Sequence, residues 1–108
     1  MDRLTTATAP CRWRPCFHFA PPFGWMNDPN GLIFFRGQYH LFYQYNPLDV
    51  KWGPMYWGHA VSKDMLQWVH LPIALAPDQH YEQGTTGGCF SGSGVEWEGR
   101  LYLLYTAA

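Results

Sequence analysis

Within Trp25-Met26-Asn27-Asp28-Pro29-Asn30-Gly31, a single carboxylate stands among residues that each restrict the backbone. Pro29 disfavours the α region for the residue before it, so Asp28 is expected to be extended. Asn27, Asn30 and Gly31 suit a tight turn in which the glycine takes positive φ. The expected arrangement is a carboxylate held, not merely displayed, in a turn just ahead of β-type sequence. Five such residues alone would also make an ordinary solvated turn. The aromatic residues around the run shift the reading towards sugar chemistry centred on Asp28.

The other polar groups point less far. Glu82, Glu96 and Glu98 read as surface charge, and Asp49, Asp64 and Asp78 as loop carboxylates. Cys11, Cys16 and Cys89 are odd in number and lack a zinc spacing, so they read as reduced thiols. His18, His40, His59, His70 and His80 are scattered, without the short paired spacing of a metal site, and read as structural or exposed. Gly92-Ser93-Gly94 lies within a strand signal with no lysine and helix after it, so it is a place where backbones fit closely, not a phosphate loop.

The elements that must position Asp28 are strands. Leu32 to Phe35, the pair Arg36-Gly37, and Gln38 to Tyr45 predict a hairpin. A third strand is predicted over Met55 to Ser62, and a fourth over Gln67 to Leu71 after a turn at Lys63-Asp64. Four antiparallel strands in series form a meander. Cys89 to Glu96 and Arg100 to Thr106, joined by Trp97-Glu98-Gly99, predict a second hairpin left without partners. The fold class is all-β.

Hydrophobic residues make up 47% of the 108 positions, which excludes a disordered tail. A net charge of −1 without a basic cluster gives no reason to expect nucleic acid or an anionic membrane as partner. Aromatic residues reach 19%, and most are expected in the core. Met1 to Cys16 reads as a flexible lead with no apolar signal core, and no stretch is long enough to span a bilayer, so a cytoplasmic setting is expected.

The Trp25–Gly31 run is followed by Tyr43-Gln44-Tyr45-Asn46-Pro47, Trp57-Gly58-His59-Ala60-Val61-Ser62 and Phe90-Ser91-Gly92-Ser93. Together they resemble the opening of the β-fructofuranosidases of glycoside hydrolase family 32, most nearly bacterial sucrose-6-phosphate hydrolases and invertases. The resemblance covers about Phe17 to Ala108. It implies a five-bladed β-propeller followed by a β-sandwich, of which residues 17–108 would be the first blade and part of the second, a truncated propeller. It also implies hydrolysis of the β-fructofuranosidic bond of sucrose or sucrose 6-phosphate with retention, with a small sugar as partner and no metal or organic cofactor. By the same resemblance Asp28 is the nucleophile, and Trp25, Met26, Asn27, Gln44, Trp52, Phe90 and Ser91 contact the fructose, with Trp57 as a further ring. The family's acid/base glutamate stands in a Glu-Cys segment and its stabilising aspartate in an Arg-Asp-Pro segment. Neither occurs in this sequence, so the 108 residues alone are expected to be inactive. The competing expectations are a non-catalytic fructoside-binding piece and a decayed product with no folded state.

Overall fold

Arg36-Gly37 and Glu98-Gly99 both take positive φ at each residue, 51° and 82° in the first pair and 50° and 77° in the second. That is the type I′ geometry whose twist matches the strands it joins. The computed structural model of the protein describes residues 13–84 and 86–108. Most of the lead expected over Met1–Cys16, with Cys11, lies outside the described residues.

The first four strands are β1 (Trp25–Phe35), β2 (Gln38–Asn46), β3 (Tyr56–Ser62) and β4 (Val69–Leu75), in an antiparallel sheet of order β1-β2-β3-β4. A short 3₁₀ turn over His80–Glu82 leads to a second, two-stranded sheet of β5 (Cys89–Trp97) and β6 (Arg100–Ala107). The fold is all-β as expected, but two local readings are corrected. The expected turn at Asn27–Gly31 is part of β1, where irregular register absorbs Pro29 and lets Gly31 keep a φ of 54°. The fourth strand begins later and runs further than expected. Asp64 Oδ1 accepts the backbone N–H groups of Leu66 and Gln67, prolonging the turn. Pro72 then falls in the register gap between Leu71 and Leu75 of an edge strand, where a missing N–H is tolerated.

The second hairpin has no further strand in its sheet, as expected, but its inner face closes the core. Phe42, Trp57 and Cys89 are buried together, with Ala74, Leu75, Leu101, Leu103 and Tyr105 packed around them. A backbone bond from Cys89 N to Met55 O, 2.9 Å, ties the start of β5 to the residue before β3. The hairpin also approaches β1 closely: a Cβ at Gly31 would lie 3.3 Å from Gly94 N. The opposite face of β2 is covered by the segment before β1, where the Phe19 and Tyr43 rings stand edge to face, 5.3 Å apart. Covered on both sides, β2 is buried from Phe42 to Asn46. The expectation that most aromatic rings are core is corrected: among the described residues, the buried rings are those of Phe35, Phe42, Tyr43, Tyr45 and Trp57. The outer faces of β1, β5 and β6 are open, so Phe34, Trp97 and Tyr102 are exposed. No helix among the described residues is long and apolar enough to cross a membrane.

Candidate active site

Bulges in two strands place the candidate nucleophile. In β1 the register steps from Met26 opposite Tyr45 to Pro29 opposite Tyr43, so Asn27 and Asp28 together face Gln44. In β5 it steps from Phe90 opposite Thr106 to Gly92 opposite Tyr105, so Ser91 is the extra residue. A bulge bends its strand and re-aims a side chain that regular alternation would point elsewhere. Here both re-aimed side chains meet: Ser91 Oγ donates to Asp28 Oδ2 at 2.7 Å. The bond is short, as expected for a hydroxyl on a carboxylate, and it fixes the plane of the group. Asp28 Oδ1 makes no hydrogen bond to the described residues.

A cavity of about 320 Å³ opens at this junction, lined by Asn27, Asp28, Gln44, Trp52, Met55, Phe90, Ser91 and Thr106. Asp28 is the one carboxylate among them. Gln44 is buried and its Nε2 donates to Cys89 O at 2.7 Å, so one end of the amide is already committed to the protein. Trp52 is 45% exposed on the loop between β2 and β3, which leaves a ring face for a ligand. Six of the site residues expected from the sequence are therefore brought together: Asn27, Asp28, Gln44, Trp52, Phe90 and Ser91. Trp25 and Met26 lie just ahead on β1, partly buried, and do not line the cavity.

Two expectations fail here. Trp57 offers no ring face to a ligand, because it is 0% exposed; its Nε1 instead donates to Phe90 O at 2.9 Å. Glu82 is not surface charge. It is also 0% exposed, with Oε2 accepting from Tyr105 Oη at 2.7 Å and Oε1 from the Gln79 backbone N–H at 3.2 Å. That bond is the main reason the Tyr105 phenol is pushed up to about 12. Burial, with Glu82 and Asp78 as lesser causes, likewise pushes the Cys89 thiol up to about 12. Cys89 is thus a neutral packing residue, not a nucleophile. Sequence reasoning passed over Met55 and Thr106 as cavity residues. Met55 carried no signal, but Thr106 did, as a hydroxyl ending the run Leu103-Leu104-Tyr105. No group of three or more metal-ligating side chains is present among the described residues.

The glycosyl hydrolases family 32 N-terminal domain profile matches residues 18–108. The chain belongs to glycosyl hydrolase family 32. This family 32 chain is 57% identical over 94 residues to a sucrose-6-phosphate hydrolase of Zymomonas mobilis, covering 87% of its own length and 18% of the relative's. It is 59% identical over 83 residues to a levanase of Bacillus subtilis, covering 77% of itself and 11% of that enzyme. Among solved structures, a Bombyx mori GH32 β-fructofuranosidase superposes with a TM-score of 0.78 at 49% identity, over 89% of this chain and 19% of that one. A mutant of that silkworm enzyme has been solved in complex with sucrose. The chain thus spans under a fifth of the length of these relatives, and its sheets match the β-propeller folds of the family.

Proposed function

We propose that this chain carries the nucleophile and part of the fructose subsite of a retaining β-fructofuranosidase, acting on sucrose or sucrose 6-phosphate, within a five-bladed propeller. The observation that carries the reading is the meeting of two bulges at one cavity, where Ser91 orients Asp28 among Asn27, Gln44 and Trp52. Asp28 Oδ1 attacks C2 of the fructosyl unit, the glycosidic C2–O bond breaks, and a fructosyl ester forms. Trp52 covers the sugar's C–H face and Asn27 bridges its hydroxyls, with Trp25 and Met26 supporting this edge from β1. A retaining glycosidase needs a second carboxyl group about 5–5.5 Å away to protonate the leaving oxygen and then activate water. The cavity offers no such group among the described residues. Alone, these residues therefore form a fructoside-binding surface with a nucleophile and no proton donor. A phosphorylated sugar does not cross a bilayer unaided, which fits a cytoplasmic setting.

The test uses two substrates with different needs. Sucrose requires protonation of its leaving group, whereas β-fructofuranosyl fluoride loses fluoride without it. The 108-residue chain should release no glucose from sucrose. It should release about one equivalent of fluoride and then stop, since the ester has no general base to assist water. Sustained sucrose turnover by this segment, or no fluoride burst, overturns the proposal.

A further inference from the structure

We propose that Thr106 and Trp57 are positioning residues for the nucleophile, holding the bulged edge of β5 so that Ser91 keeps Asp28 in one orientation. The inference rests on the reading of Asp28 as nucleophile. Three successive carbonyls at the start of β5 each accept a side-chain donor from a different strand. Cys89 O accepts from Gln44 Nε2 of β2 at 2.7 Å, Phe90 O from Trp57 Nε1 of β3 at 2.9 Å, and Ser91 O from Thr106 Oγ1 of β6 at 3.3 Å.

The need for such a clamp follows from the bulge. Ser91 has no Cα partner in β6, so regular pairing does not fix it. An unpaired residue keeps backbone freedom, and any freedom at Ser91 passes through the 2.7 Å Oγ bond to Asp28. The donors come from both sides: Trp57 is wholly buried in the core, whereas Thr106 stands at the cavity wall. Regular pairing resumes at Gly92 opposite Tyr105, where β5 lies so close to β6 that a Cβ at Gly92 would run into Leu104 O. The bulge is thus pinned before, at and after Ser91. Thr106 acts on the nucleophile through Ser91, two hydrogen bonds away, and needs no contact with the sugar. An ångström of misplacement in an attacking group costs about 10²-fold in rate, so partial loosening should cost about tenfold.

The experiment compares wild type with Thr106→Val, which keeps the shape and removes the hydroxyl, Thr106→Ser, which restores it, and Trp57→Phe. Labelling by β-fructofuranosyl fluoride gives a maximal rate and a half-saturating concentration. In Thr106→Val the maximal rate should fall about tenfold with the half-saturating concentration unchanged, and Thr106→Ser should recover most of it. A rise in half-saturating concentration alone would make Thr106 a sugar contact and overturn the proposal. Three-bond couplings at Asp28, measured by NMR on the unliganded chain, give the second readout. Wild type and Thr106→Ser should hold one χ1 rotamer, whereas Thr106→Val and Trp57→Phe should average. A single retained rotamer in Thr106→Val overturns the proposal even if Trp57→Phe fails to fold. If wild type is never labelled, the nucleophile assignment falls, while the couplings still decide the positioning role.

Discussion

His40 and His59 face each other across β2 and β3 with Nδ1 and Nε2 3.0 Å apart, and the pair makes acid stability calculable. His40 Nε2 lies 3.2 Å from Phe35 O, and only an N–H can serve a carbonyl. His40 Nδ1 is therefore the acceptor and His59 Nε2–H the donor. His59 also stacks on the buried Phe42 ring, centroids 4.3 Å apart. Burial first, and the neighbouring His40 second, push its value down from 6.5 to about 4. A base depressed in the folded state stays neutral there while the unfolded chain already binds a proton. Its contribution is full above pH 6.5 and is lost as pH falls from 6.5 through about 4. At about 1.4 kcal/mol per unit, the shift corresponds to at most about 3.5 kcal/mol. His59 is only partly buried, so solvent screening reduces the expected loss to about 2 kcal/mol. Urea unfolding of wild type and His59→Phe, which keeps the stack and cannot titrate, should be measured at about pH 7.5 and about pH 4.5. Wild type should lose about 2 kcal/mol more than the variant over that interval. Equal losses would mean that His59 does not carry the acid sensitivity, because the other depressed histidine, His70, is common to both proteins.

At the alkaline end the sign reverses: Tyr45, Tyr105 and Cys89 are pushed up to about 12, from 10.0 for the phenols and 9.0 for the thiol. Stability should hold below about pH 9 and fall as pH rises towards 12, seen as a dropping urea midpoint. Gly58→Ala would drive a methyl into the buried Tyr43 ring on the neighbouring strand. That overpacking should cost about 3 kcal/mol in urea unfolding, with Gly37→Ala at its open turn as a strain-only comparison. Glu98→Asn places a residue suited to positive φ in the type I′ turn of β5–β6 and should raise stability by about 0.5–1 kcal/mol, measured the same way.

Much of the sheet was legible because its signals are local. Arg36-Gly37 and Glu98-Gly99 sit between alternating β-type runs, and a two-residue connection of that kind specifies a hairpin with little help from elsewhere. The Asn27–Gly31 segment was misread as a turn for an equally physical reason. Pro29 and Gly31 are turn residues in isolation, but bulges against β2 absorb them, and a bulge is a property of the pair of strands. The same limit separates Trp52 from Trp57. Nothing near either residue says that one faces the cavity and the other lies in the core, because that is decided by the second hairpin closing over β3. Glu82 could be read only as a lone charge. Its burial depends on the Tyr105 hydroxyl, 23 residues later in the chain. Asp28 was legible as a candidate, since the proline after it and the asparagines and tryptophan beside it are written locally. Ser91 reaching it across the sheets was not.

The measurement that bears most directly on the whole account is the site of the fructosyl adduct. After reaction with β-fructofuranosyl fluoride, the chain should be digested and the modified residue located by mass spectrometry, in wild type and in Asp28→Asn. One fructosyl ester on Asp28 and no adduct in the variant are the expected results. An ester on another carboxylate, or labelling that persists in Asp28→Asn, would contradict the account.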